Sequence, residues 1–173
     1  MNLNQPLYDS QIEKLGYRVI PYSQLKAKTL EQFVALCPFV ILYQSSPKSG
    51  HYCCVFVNEH GLNFLDPYGK INNKWLMADQ QLNWPNMKRF SGPSKILKFM
   101  DEYKKRGGNV YGNDVKYQRY MNGVSTCGWH CLMRLIFSDL SESEYLSLMK
   151  RLKKRFKTKD FDELVVKLLQ EYI

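Results

Sequence analysis

The sequence predicts an α+β fold in one domain. Apolar runs typical of strands are gathered between residues 39 and 66, and runs with helical periodicity lie before and after them. Strands and helices that are segregated along the chain favour an α+β arrangement over alternating βαβ units. A length of 173 residues suits one domain with its own core, so we predict a single domain over residues 1–173, with helical flanks at 1–36 and 141–173.

Composition excludes several classes of protein. The first six residues have neither the charged lead nor the apolar stretch of a secretory signal, and no apolar run approaches the roughly 18 residues that span a membrane. Five cysteines, two of them adjacent, make a poor disulfide framework, so we expect a soluble protein in a reducing compartment. The net charge of 25 − 16 = +9 permits binding to nucleic acid, although a basic protein without a polyanionic partner fits equally well.

Two short helices are predicted before the first strand. Asp9 or Ser10 can begin a helix that ends by Gly16. Thr29 can begin a second helix, which must end before Pro38. We therefore expect the first 36 residues to be helical.

Three strands are predicted in the centre of the chain. Phe39–Tyr43 is a continuous apolar and β-branched run, typical of a strand buried on both faces. After a polar loop, His51–Val57 and Leu62–Asp66 form a hairpin by their pattern. The open ends of an antiparallel hairpin lie side by side, so we expect His51 and Asp66 to be neighbours despite a separation of 66 − 51 = 15 residues.

The second half of the chain is predicted to be mainly helical. Residues 70–94 show little periodicity. The further predicted elements are a short helix near Asn73–Met77, a helix over 94–106, a strand at Val115–Tyr120, a helix from Cys127, and helices at Tyr145–Phe156 and Phe161–Tyr172.

A change from small polar to apolar residues marks a candidate nucleophile. Ser125 or Thr126 can cap a helix whose first turn contains Cys127, followed by apolar residues spaced to lie on one side. A thiol at this position faces unpaired backbone N–H groups and the positive end of the helix dipole, which favour the reactive thiolate. The alternative is a buried structural cysteine that opens a core helix.

Nucleophilic cysteine chemistry also needs a base, a group that orients the base, and donors for the oxyanion. His51 can be the base and Asp66 can orient it, with Cys127 as the nucleophile. Gln118 lies 127 − 118 = 9 residues before the cysteine and can donate its side-chain amide to the oxyanion, beside the cysteine backbone N–H. His130 lies on the same helix as the nucleophile and points poorly for proton transfer.

Two other groups of residues could bind a ligand, a metal in one case and a polyanion in the other. Zinc could be held by two cysteines of the helix together with ligands of the hairpin, namely Cys127 and Cys131 with His51, Cys53 or Cys54. However, no CxxC pair is present and adjacent cysteines of a strand point to opposite faces, so we expect no metal. The basic run Lys150–Arg155 is either a solvated helix face or a site for a polyanion.

Taken together, these motifs resemble a known family. Gly50-His51, Phe64–Gly69, Gln118 and Ser125–Cys131 stand in the order of the adenovirus-type (adenain-like) cysteine proteases, which are relatives of the ubiquitin-like-protein-specific proteases. The chain looks most like the capsid-maturation proteases of virophages and large DNA viruses. The resemblance covers about residues 39–137 and implies a papain-like core, in which a mixed sheet is flanked by helices and the nucleophile opens one of them.

The resemblance implies His51 as base, Asp66 as its orienting group, Cys127 as nucleophile and Gln118 as a donor to the oxyanion. One departure affects the last role. The family's Gln usually stands nearer to the Cys, and here Asn122 is closer, at 127 − 122 = 5 residues. If a bulge absorbs the extra residues the donor is Gln118, and otherwise it is Asn122.

The function implied by the resemblance is that of a cysteine endopeptidase. Its substrates would be viral capsid precursor proteins, cut next to small residues such as Gly during maturation in the virion and the host-cell cytoplasm. The resemblance implies no cofactor and no membrane partner, and it allows DNA or a viral peptide as activator. The alternatives are a protease that removes ubiquitin-like modifiers and a non-catalytic basic protein that binds nucleic acid or acts as a scaffold.

Overall fold

The structure is a computed structural model that describes residues 1–47, 49–69 and 95–173. The predicted α+β class is confirmed, and the short helix predicted near Asn73–Met77 lies outside the described residues. The strands are β1 (Arg18–Pro21), β2 (Phe39–Ser46), β3 (Ser49–Asn58), β4 (Gly61–Leu65) and β5 (Val110–Gly112). The helices are α1 (Asp9–Lys14), α2 (Leu30–Leu36), α3 (Ile96–Lys105), α4 (Cys127–Ile136), α5 (Glu142–Phe156) and α6 (Phe161–Leu169), with a 3₁₀ helix at Tyr22–Leu25.

The five strands form one mixed sheet in the order β1-β2-β3-β4-β5. The two outer pairs, β1–β2 and β4–β5, are parallel, and the central pairs are antiparallel. Strand β1 was not predicted, because its segment was expected to be helical. Four residues are too few to show a period of two, and this strand is defined by its pairing with Phe39–Leu42.

The hairpin between β2 and β3 is longer than predicted. Residues 44–50 were expected to form a loop, but β2 continues to Ser46 and β3 begins at Ser49, with a register shift between Gln44 and Ser46. Gly50 is required by the close approach of the two strands. A Cβ atom at this position would lie 2.4 Å from the carbonyl oxygen of Tyr43.

The strand predicted at Val115–Tyr120 is wrong. The backbone N–H groups of Tyr117 and Gln118 both donate to the carbonyl oxygen of Pro67, at 3.0 and 2.9 Å, so they do not join the sheet ladder. The side chains of these two adjacent residues are both buried, 2% and 1% exposed, whereas adjacent side chains of a strand point to opposite faces. The strand at this edge of the sheet is β5 instead.

Each face of the sheet carries its own core. On one face α1, α4, α5 and α6 contribute to a cluster that includes Cys54, and on the other the 3₁₀ helix, α2 and α3 contribute to a cluster that includes Cys53. The adjacent cysteines therefore point to opposite faces, as predicted.

Helix α4 is the central helix of the first cluster. It is buried all round from Cys127 to Leu135, so burial extends beyond the apolar side that the spacing indicates. A helix in the centre of a core needs no polar face. Its one charged residue, Arg134, stacks its guanidinium on the rings of Phe56 and Tyr145, at 4.5 and 4.7 Å.

The helix ends follow local signals in the sequence for the most part. Thr29 and Ser141 cap α2 and α5 with reciprocal capping boxes, and Asp160 caps α6, which ends at Leu169 rather than at the predicted Tyr172. The cap of α1 is Tyr8, one residue before the predicted position. Among the helices of the described residues, none combines the length and the apolar character needed to cross a membrane.

Candidate active site

The hairpin brings His51 and Asp66 together as predicted. Nε2 of His51 lies 2.8 Å from Oδ1 of Asp66, and the two residues are only 6% and 0% exposed. Asp66 follows β4 directly, and the side chain of Asn113 fixes its backbone by bonding both its N–H and its carbonyl oxygen, at 2.9 and 2.6 Å. Because Nε2 faces the carboxylate, Nδ1 is the ring nitrogen that remains for a third group.

The thiol of Cys127 lines the same cleft as His51, and the imidazole is close enough to affect the charge state of the thiol. Burial raises the pKa of the thiol, but His51 and the backbone N–H groups of Tyr52 and Gly128 stabilise the thiolate, and the net pKa is lowered from 9.0. For His51, burial lowers the pKa, whereas Asp66 and Cys127 raise it, and the net value is about 10. These directions favour a thiolate beside an imidazolium.

Tyr68 is a component of the site that was not given a role from the sequence. Its ring stacks on the imidazole of His51, with the ring centroids 4.3 Å apart and the planes within 10° of each other. The backbone N–H of Tyr68 donates to Oδ1 of Asp66 at 3.0 Å, so one turn covers the imidazole and holds its partner. The signal in the sequence was the turn Asp66-Pro67-Tyr68-Gly69 directly after a strand.

Gln118 lines the cleft that contains the nucleophile, and Asn122 does not. Gln118 is 1% exposed and lines the same cleft as Cys127, whereas Asn122 is exposed. The segment between Gln118 and Cys127 contains a turn, in which the N–H of Val124 donates to the carbonyl oxygen of Met121 at 3.4 Å. The amide of Gln118 makes one long bond from Nε2 to the Val124 carbonyl oxygen, at 3.4 Å, and its buried Oε1 has no partner among the described residues.

An open cleft of about 620 Å³ leads to the thiol. One wall is the N-terminal segment, which is held against α4 by a bond from the Ser125 N–H to the Leu3 carbonyl oxygen (2.8 Å) and one from Nε1 of Trp129 to the Gln5 carbonyl oxygen (3.0 Å). Gly128 allows this packing, because a Cβ there would lie 3.1 Å from Cβ of Leu7. The opposite wall is the β2–β3 hairpin. The volume lies in the range of sites that take small ligands or short peptide segments.

His130 is engaged away from the cleft. Its Nε2 lies 3.0 Å from Oδ1 of Asp162, a residue of α6, and both side chains are fully buried. Asp162 also accepts a hydrogen bond from the hydroxyl of Thr126, at 2.5 Å. Thr126 is the N-cap residue of α4, but its hydroxyl is used in this bond to Asp162 and makes no cap bond.

Among the described residues, His51, Cys53 and Asp66 offer one ligand atom each within 4.8 Å of one another. This set differs from the zinc ligands considered above, because it does not include the two cysteines of α4. Cys131 is buried against Cys54, and burial with this neighbour raises its pKa well above 9.0.

The fold and site together define an α+β protein with a buried His–Asp pair next to a cysteine at a helix N-terminus. The chain is similar to a protein of the Sputnik virophage called uncharacterized protein V9, with 27% identity over 107 residues. The aligned part covers 61% of this chain and 58% of the virophage protein, which is less than two thirds of its length. No family model and no solved structure matches the chain. The comparison thus points to a viral protein and names no activity.

Proposed function

We propose that this protein is a cysteine endopeptidase with a papain-like core. The observation that carries the proposal is a His51–Asp66 hydrogen bond in the cleft that also contains the thiol of Cys127. A nucleophile, a base and an orienting group within hydrogen-bond reach are the requirement for nucleophilic catalysis. A purely structural role for Cys127 would not require a cleft that reaches its thiol and is also lined by a bonded imidazole.

In the proposed reaction the thiolate of Cys127 attacks the carbonyl carbon of the scissile peptide bond. The carbonyl oxygen takes the negative charge and is stabilised by the backbone N–H of Cys127 and by Nε2 of Gln118. The imidazolium of His51 gives its proton to the leaving amine as the C–N bond breaks, which leaves a thioester on Cys127. Water then attacks the thioester while His51 accepts its proton, the C–S bond breaks, and the carboxylic acid product leaves the Cys127 thiolate beside the His51 imidazolium.

We propose viral capsid precursor proteins, cut next to small residues such as Gly, as the substrates. The similarity to a virophage protein supports a viral setting. The approach to the thiol is bordered by the rings of Tyr52 and Tyr68 and by Leu7, which leaves more room for a small residue than for a bulky one beside the scissile bond. Proteins modified by ubiquitin-like chains, which also end in small residues, are the competing substrate class.

DNA is proposed as an activator, with a viral peptide as the other candidate. The support for DNA is the net charge of +9 and the run Lys150–Arg155 on α5, of which Lys150, Arg151, Lys154 and Arg155 are exposed. Lys153, Lys154 and Arg155 lie in the last turn of α5, where they also complement the helix dipole.

The test is incubation of the purified protein with capsid precursor proteins and, in parallel, with conjugates of ubiquitin-like modifiers. New termini are mapped by mass spectrometry. We expect cleavage next to small residues in the capsid precursors, and we expect Cys127→Ala to abolish it without changing the thermal unfolding temperature by more than a few degrees. Cleavage that persists in Cys127→Ala would refute the proposal, and cleavage of the conjugates alone would transfer it to the second substrate class.

A further inference from the structure

The carboxylate of Asp162 is the centre of a buried polar network behind the candidate site. Its Oδ1 accepts hydrogen bonds from the Thr126 hydroxyl at 2.5 Å and from Nε2 of His130 at 3.0 Å. Its Oδ2 accepts from both the backbone N–H and Nε of Arg119, each at 3.2 Å. A carboxylate with no exposed surface would be costly to bury unless it were bonded in this way.

The partners of Asp162 are adjacent in sequence to the two oxyanion donors. Arg119 directly follows Gln118, and Thr126 directly precedes Cys127. The residues between Arg119 and Thr126 turn outward and are largely exposed at 120–123. One carboxylate therefore holds the two ends of this loop, and it reaches them from α6, which lies outside the part of the chain that carries the family resemblance.

We propose that Asp162 is a positioning residue that sets the distance between the Gln118 amide and the first turn of α4. The inference rests on the proposed function, since it concerns the oxyanion donors of that reaction. Asp162 touches neither the substrate nor the thiol. It acts through Arg119 and Thr126, and the bond to His130 one turn along α4 fixes the helix against the same anchor.

The chemistry of the network supports an anionic anchor. Burial raises the pKa of Asp162, but the bonds from His130, Thr126 and the Arg119 N–H lower it, and the net pKa lies below its ordinary value. Arg119 also lies 3.2 Å from Asp160, so the guanidinium remains paired if Asp162 is replaced. Loss of the Asp162 carboxylate would therefore release the Arg119 backbone N–H and the Thr126 hydroxyl more than it would release the Arg119 side chain.

The test compares Asp162→Asn, Thr126→Val and Thr126→Ser by their steady-state kinetics on a peptide that the wild type cleaves. Thr126→Val keeps the shape of the side chain but removes the donor, whereas Thr126→Ser keeps the donor. We expect kcat to fall about 10- to 100-fold in Asp162→Asn and Thr126→Val with little change in KM, because a displacement on the order of 1 Å costs about that much in rate. Thr126→Ser should stay within about threefold of wild type.

Alkylation of Cys127 by iodoacetamide is measured in the same variants, because this reaction forms no oxyanion. Its rate should be retained in Asp162→Asn and Thr126→Val. The control for lost stability is Asn58→Ala, since Asn58 likewise joins two segments, with bonds to the Ser138 carbonyl oxygen and the Gly61 N–H. Asn58→Ala should lower the unfolding temperature and keep kcat.

Wild-type kcat in both Asp162→Asn and Thr126→Val would overturn the positioning role while leaving the protease proposal intact. Equal losses of kcat and alkylation rate, in proportion to lost stability as in Asn58→Ala, would reduce Asp162 to a structural residue. A wild-type protein that cleaves no peptide and whose Cys127 reacts no faster than the other thiols would overturn the proposed function and this inference together.

Discussion

The substitution Asp66→Asn removes the buried negative charge that faces His51 and keeps the shape of the side chain. The expected result is a lower pKa of His51 and, through the lost imidazolium, a higher pKa of Cys127. Burial, which lowers the pKa of His51 and raises that of Cys127, would then act with less opposition at both residues. At neutral pH the neutral thiol–imidazole pair should gain at the expense of the thiolate–imidazolium pair.

The magnitude follows from the pKa of His51. It is raised from 6.5 to about 10 against the effect of burial, and a shift of about 3.5 units corresponds to on the order of 5 kcal/mol in favour of the imidazolium. Asp66 is the first of the groups that raise this pKa, and each unit of pKa lost with its carboxylate shifts the balance between the ion pair and the neutral pair about tenfold. The loss should be smaller in Asp66→Asn than in His51→Ala, because an amide can still orient the imidazole.

The assay is the rate of iodoacetamide alkylation at Cys127, measured by mass spectrometry from about pH 5 to about pH 10. In the wild type the rate should rise with pH through a midpoint below 9.0, as the thiolate forms, and rise again near pH 10 as His51 loses its proton. In Asp66→Asn the first midpoint should move to higher pH, and each unit of movement beyond neutral pH lowers the rate at neutral pH about tenfold. Glu142→Gln is the matched control, since this partly buried carboxylate contacts Tyr117 and Arg134 instead.

An Asp66→Asn midpoint equal to that of the wild type would show that the carboxylate does not control the thiol, and the reasoning from charge would fail. A shift of the same size in Glu142→Gln would assign the effect to general loss of structure. Thermal unfolding of both variants separates these outcomes from simple misfolding.

Three further predictions address the donors, the second helix cysteine and the basic surface. Gln118→Ala should lower kcat roughly 100- to 1000-fold and leave KM nearly unchanged, while Asn122→Ala should resemble the wild type; the opposite order would make Asn122 the donor. Cys131→Ala should keep its peptidase activity, because the Cys131 thiol is buried against Cys54 with a raised pKa. Zinc found in the wild-type protein by elemental analysis would contradict the expectation of no metal. Binding to duplex DNA should weaken with salt, by about 0.9 in log K per unit of log salt for each phosphate neutralised, and a flat response would refute the electrostatic interpretation of Lys150–Arg155.

The contact between His51 and Asp66 could be predicted because a hairpin is a local structure. Alternating side chains fix which residues share a face, and a short turn fixes the register, so the two ends of the hairpin must meet. The start of α4 at Cys127 was predictable for a similar reason, since small polar residues before an apolar run are a local signal. The roles of these residues remain predictions.

Other parts of the fold depend on distant partners and had no local signal. β1 is a strand because Phe39–Leu42 lies beside it, and Val115–Tyr120 is a loop because Pro67 accepts its N–H groups. In both segments the hydrogen-bond partner lies elsewhere in the chain, so propensity and periodicity alone assign the wrong structure.

The spacing between Gln118 and Cys127 illustrates why distance along the chain is a poor guide to a site. Closing a flexible loop that is two residues longer or shorter than nine changes the free energy by only about 0.2 kcal/mol, so such loops vary freely in length. The distance in space must then be set by groups that hold both ends of the loop. Here that group is Asp162, which is 162 − 126 = 36 residues beyond Thr126 and looks from the sequence like an ordinary acidic residue at a helix start. The C-terminal helix is in this sense part of the site, although none of its residues lies in the cleft.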